Sequence, residues 1–143
     1  MYDVLFYVLL GISSAAVSIY FSKIYFAIGK FFKRFDNPYK RLLIGGFLLG
    51  TIVFFIPPLF GEGYETINSV LKGNITDVIT SNIFHIATDN IWIITIFLVG
   101  LILFKIVATS FTFGAGGIGG VFAPTLFTGS ITGYVFATII NYS

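Results

Sequence analysis

From Ile106 to Ser143 the chain carries no Asp, Glu, Lys, Arg or His, and inside that apolar stretch lies a glycine-rich run, Gly114-Ala115-Gly116-Gly117-Ile118-Gly119-Gly120-Val121-Phe122-Ala123-Pro124. Lipid offers backbone N–H and C=O groups no partners, so irregular backbone at membrane depth is tolerated only where it is buried in protein or lines a cavity. Five glycines in the seven positions 114–120 would cost a continuous helix about 1 kcal/mol each relative to alanine. The run therefore reads as a break between helices, and as the place where a ligand would meet bare amides.

Composition makes the surroundings of that break a membrane. The 143 residues are 57% hydrophobic and 10% charged, whereas soluble domains carry about 25% charged residues. Cysteine is absent, which excludes disulfides and thiolate metal sites. No metal, organic cofactor or nucleic-acid partner is expected. Asp3 and the lack of an N-terminal basic cluster argue against a cleaved signal peptide, so the first apolar segment is expected to stay in the mature chain. The net charge is +2, but Lys23, Lys30, Lys33, Arg34, Lys40 and Arg41 crowd between the first two apolar runs. Snorkelling toward phospholipid headgroups is the default reading of that cluster, ahead of a specific anion or lipid site.

An all-α, multi-pass fold with broken or re-entrant helices follows, as a single partial transmembrane domain over 1–143. Val4 to Phe21 is uncharged over 18 residues, close to the roughly 20 that a bilayer requires, and the pattern extends the first helix over about 4–35 until Asp36-Asn37-Pro38 breaks it. A second helix over 42–56 ends at Pro57-Pro58. Its Gly46 and Gly50, like Gly129 and Gly133 later, have the four-residue spacing that lets helix backbones approach. Tyr64, Ile67 and Leu71 predict a short amphipathic helix over 64–72, stopped by Gly73. Residues 74–90 are the most polar segment and read as an interfacial connector, and the Asn74-Ile75-Thr76 acceptor pattern is too short to carry weight. Helices over 91–110, capped by Asp89 or Asn90, and over 121–140 complete the set, with Pro124 allowed in a first turn. The glycine-rich loop 114–120 joins them.

Gly114-x-Gly116-x-x-Gly119 formally matches a dinucleotide-binding fingerprint. That motif needs a soluble strand before it and an acidic residue about 20 positions after it, and no carboxylate follows Asp89. An enzyme is not expected. A loop that opens a helix at Val121 instead presents free N–H groups and the positive end of a helix dipole, which together attract anions. Helix packing through glycine alone is the alternative, and it yields a small structural membrane protein. Of the other polar residues, His85 is expected at the interface, Glu62 and Glu65 in solvation or helix capping, and Lys105 snorkelling from the end of its apolar run.

Gly120-Val121-Phe122-Ala123-Pro124, preceded by the glycine run and by Lys105-Ile106-Val107-Ala108-Thr109-Ser110, resembles the signature of the CLC family of chloride channels and proton/chloride antiporters. Gly61-Glu62-Gly63-Tyr64-Glu65-Thr66-Ile67 resembles that family's turn after the first helix of its second repeat. The resemblance spans essentially the whole chain and is densest over 42–143. It implies a partial CLC-type inverted-repeat fold in which chloride, the transported ion, meets the amides of Val121 and Phe122. Gly119 and Gly120 would permit the close approach, and Gly114, Gly116, Gly117 and Pro124 would support the loop and helix start. Ala115 and Ile118 stand where the family often has serine, a change that leaves the amides in place. The family's Gly-Ser-Gly-Ile-Pro and Gly-x-Glu-Gly-Pro loops and its late tyrosine have no counterpart here, so the resemblance implies a middle piece holding about half of an ion site. It also implies a homodimer with 4–21 at the subunit contact, the rest of the same transporter and the bilayer as partners, and a bacterial plasma membrane as location. The family's topology puts the linker 30–41 outside, against the positive-inside tendency.

Overall fold

The computed structural model describes residues 2–60, 63–73 and 90–142. Helix α1 runs Tyr2–Phe32, α2 Pro38–Phe55, a 3-10 turn Pro57–Leu59, α3 Tyr64–Leu71, α4 Ile91–Gly114 and α5 Phe122–Tyr142. No strand occurs among the described residues. Glu62 and the polar connector 74–89, with His85, the Asn74 acceptor pattern and Asp89, lie outside them.

Local chemistry sets the boundaries, and several differ from the sequence expectation. The first helix closes at Phe32 rather than at residue 35. The second begins at Pro38 rather than 42, because the Asn37 side chain accepts the Tyr39 N–H at 2.9 Å and proline suits a first helical position. Asn90 caps α4 in the same way, accepting the Trp92 N–H at 3.1 Å. The third helix ends at Leu71, one residue early, with Gly73 at φ +75° beyond it. The fourth runs about one turn past 110, to Gly114, the first residue of the glycine run, and the fifth opens at Phe122.

Helices α1, α2, α4 and α5 are each long and apolar enough to cross a membrane. Several of their hydroxyls are satisfied as lipid demands, by donating back to carbonyls three or four residues earlier. Ser13 bonds Leu9, Thr95 bonds Ile91, Ser110 bonds Ile106 and Thr132 bonds Thr128.

Helix α4 is the hub, packed against α1, α2, the 3-10 turn and α5, while α3 lies on α5. Leu98, Leu101, Ile102 and Ile106 of α4 meet Phe127, Ile131 and Val135 of α5, Ile67 and Val70 of α3, and Leu59. Much of α1 is unburied, with Val4, Leu5, Tyr7 and Ile12 among its exposed apolar residues.

Close backbone approach falls on a different glycine from the ones that the spacing singles out. A Cβ added at Gly46, Gly50, Gly129 or Gly133 would meet no atom within 4 Å, whereas one at Gly45 would collide with the Ala115 side chain. The α2 face turned to α4 is one residue out of phase with the Gly46/Gly50 pair. Gly45→Val should therefore lower stability by about 1–3 kcal/mol through overpacking. Gly46→Ala should leave stability unchanged or raise it by up to about 1 kcal/mol. Thermal unfolding of the two variants in detergent, followed by near-UV circular dichroism, checks the pair.

Candidate anion site

Helix α4 stops at Gly114 because the next residues close it with a six-to-one and five-to-two hydrogen-bond pair. Gly117 N–H donates to Thr112 O at 2.8 Å and Gly116 N–H to Phe113 O at 3.1 Å. Gly116 occupies the left-handed region at φ +96°, which a glycine just after a helix end supplies at least cost. A Cβ on Gly117 would come within 2.7 Å of Thr112 O. Gly114 is pressed against the Phe32 ring of α1. Gly114, Gly116 and Gly117 thus terminate one helix rather than open the next.

Beyond the cap the backbone is bare. The N–H groups of Ile118, Gly119, Gly120, Val121, Phe122 and Ala123 have no acceptor among the described residues, and the next bond is Thr125 N–H to Val121 O at 3.0 Å. Pro124 has no N–H to lose and sits in the first turn of α5. Unpaired donors run continuously into the positive end of a 21-residue helix, the arrangement that favours negative charge.

The donors border a cavity of about 560 Å³. Its lining includes Ile118, Gly119 and Gly120 of the loop, Ala123 and Pro124 of α5, Gly46 and Gly50 of α2, and Lys105, Thr109 and Thr112 of α4. The Thr109 and Thr112 hydroxyls already donate to Lys105 O and Ala108 O, so the free donors at this wall are backbone amides. Gly119, Gly120 and Pro124 share the cavity, whereas Val121 and Phe122 lie beside it, and the Phe122 side chain is 70% exposed.

Lys105 does not snorkel. It is 3% exposed, its Nζ donates to Leu59 O at 3.0 Å and lies 4.9 Å from the centre of the Phe127 ring. Snorkelling requires a path to the interface, and the 3-10 turn and α5 close that path here. The lysine ties three elements together and lines the same cavity as the loop. An ionisable residue in an apolar helix is the signal that could have marked it.

A family model described as voltage gated chloride channel matches residues 1–143. The chain belongs to that family. It is accordingly a multi-pass membrane protein, from a family of channels and transporters rather than of enzymes. It is 30% identical over 142 residues to an uncharacterized protein of Methanocaldococcus jannaschii, covering 99% of this chain and 31% of that one. It is 32% identical over 135 residues to the H(+)/Cl(-) exchange transporter ClcA of Vibrio parahaemolyticus, covering 91% and 25%. With the voltage-gated ClC-type chloride channel ClcB of Escherichia coli it shares 30% identity over 99 residues, covering 69% and 19%. The chain thus spans a third or less of the length of these curated relatives. No solved structure matches it.

Removing the Lys105 donor orphans a buried carbonyl, which costs about 1–3 kcal/mol. Lys105→Met should lower the unfolding midpoint accordingly, and Lys105→Arg should recover part of the loss. Parallel melts of the two variants in one detergent measure the difference.

Proposed function

We propose that this chain supplies one wall of the anion pathway of a CLC-type chloride channel or proton/chloride exchanger. The observation that carries the reading is the series of N–H groups from Ile118 to Ala123 without an acceptor among the described residues, of which those of Ile118, Gly119, Gly120 and Ala123 belong to residues lining a cavity at the start of α5. Chloride is a spherical acceptor without directional preference, so several amides converging from one side suit it. The ion would be held at Gly119, Gly120, Val121 and Phe122, whose donors belong to the peptide and survive side-chain variation. The similarity to proteins named as a chloride channel and a proton/chloride exchanger supports chloride as the ion.

A complete pathway needs further walls. The exposure of Ile118, Val121 and Phe122 fits a loop that meets other segments of a longer transporter. Pairing of two copies through the apolar face of α1 belongs to the same proposal. Structural glycine packing has less support, because a Cβ added at Gly46, Gly50, Gly129 or Gly133 would meet no atom of the described residues within 4 Å.

Deleting one amide tests the site directly. Phe122 is the first residue of α5, where proline is tolerated, so Phe122→Pro removes a donor while keeping the helix start, and Phe122→Ala removes the ring while keeping the donor. A hydrogen bond to an ion contributes about 1.5–3 kcal/mol. Bromide or chloride affinity, measured by calorimetry on the purified chain, should fall about 10- to 100-fold in the proline variant and change little in the alanine variant. Equal affinity in both would remove the loop amides from the site.

A further inference from the structure

A second cavity, of about 360 Å³, lies where the C-terminal part of α1 meets α4 and the start of α2. Lys30, Lys33 and Arg41 line it together with Tyr25, Phe26 and Phe113. Its size falls within the range of about 300–1,000 Å³ usual for small-molecule sites. Three of its lining residues are cationic and none is acidic.

The cations are placed by the fold. Lys30 and Lys33 are three residues apart in or just beyond the last turn of α1, on neighbouring surface positions. Arg41 comes from the first turn of α2, and its Nε donates to Phe35 O at 2.6 Å. That bond fixes the guanidinium across the 33–37 turn and leaves its terminal nitrogens without a partner among the described residues. No carboxylate pairs with Lys30 or Lys33 among the described residues either.

The other half of the cavity is aromatic. Tyr25 packs edge-on against Phe113 of α4, ring centres 5.8 Å apart, and against Phe26 at 5.8 Å. A site with a cationic side and an aromatic side is complementary to a molecule that joins a phosphate to a hydrocarbon chain. We propose that this cavity binds the phosphate headgroup of an anionic membrane lipid on Lys30, Lys33 and Arg41, with the upper part of an acyl chain against Tyr25, Phe26 and Phe113. A free phosphate would use only the cations and leave the aromatic wall without a role. Placement at the joint of α1, α2 and α4 makes the lipid a brace for the helices that carry the glycine loop.

The test uses the purified full chain, stripped of lipid in detergent and titrated with phosphatidylglycerol or phosphatidylcholine, with bound lipid counted by native mass spectrometry. Phosphatidylglycerol should bind in preference to phosphatidylcholine. Lys30→Gln/Lys33→Gln should weaken it about 25-fold, about fivefold for each cation lost near a charged headgroup. Arg41 is spared because its substitution would also break the bond to Phe35. Phe26→Ala, which alters no charge, should weaken binding about 3- to 10-fold through lost apolar contact. Lys23→Gln/Lys40→Gln, equal in charge lost but off the cavity, should change it by less than about twofold. Equal binding of the two lipids, an equal loss in the off-cavity pair, or an unaltered Phe26→Ala variant would overturn the proposal. So would displacement of the lipid by an equal concentration of glycerol 3-phosphate, which would assign the cavity to a soluble phosphate.

Discussion

The arrangement depends on where a backbone hydrogen-bond ladder is allowed to stop inside an apolar chain. A peptide N–H in hydrocarbon without an acceptor costs several kcal/mol, and six in succession would be untenable facing lipid. Helix α4 can end at Gly114 because the Gly116 and Gly117 amides turn back onto it. Of the residues after them, Ile118, Gly119, Gly120 and Ala123 line a cavity. Neighbouring helices hold the stopping point in place, with the Phe32 ring against Gly114 and Gly45 against Ala115. A substitution at any of these contacts moves the first free amide, and with it the cavity wall.

Lys105 secures the opposite side of the same cavity. Its bond to Leu59 O holds the turn that follows α2, and its position over Phe127 holds the first turns of α5. A charged group buried in this way is expensive unless it is bonded, and the amine finds a carbonyl on the 3-10 turn and a ring on α5. The lysine therefore reports on the assembly of the fold, since the carbonyl and the ring converge on it only when α2, α4 and α5 are in register.

Much of this was legible in the sequence, and the rest was hidden for identifiable reasons. The uncharged runs gave the spanning helices, and Asn37-Pro38 and Asn90 marked helix starts through local side-chain chemistry. The glycine run was visible as a break, but its division of labour was not. Which glycines cap α4 and which face the cavity depends on where the last helical turn closes, and that is decided by Phe32 and Thr112. The Gly46/Gly50 spacing pointed to close packing one residue away from the glycine that makes it, Gly45, because rotation about a helix axis is set by the neighbours and not by the helix itself. Lys105 was read as snorkelling because a sequence shows the length of a side chain but not what stands between it and the interface.

The electrostatics of the cavity follow from how its positive groups are occupied. Two unit charges 4 Å apart attract by about 4 kcal/mol at an effective dielectric of 20, and a helix N-terminus, worth about half a charge, by correspondingly less. Lys105 already has a carbonyl and an aromatic face as partners, so its charge raises the potential of the cavity without offering an anion a bare ammonium. The amides from Ile118 to Ala123 carry no formal charge, and their donors have no acceptor among the described residues. Under the proposed function, an anion entering such a site would exchange water for peptide dipoles fixed in advance by a capped helix end. Dipoles for the contact and a committed cation for the background field form a division suited to passage, since conduction requires that binding be strong enough for entry and weak enough for exit.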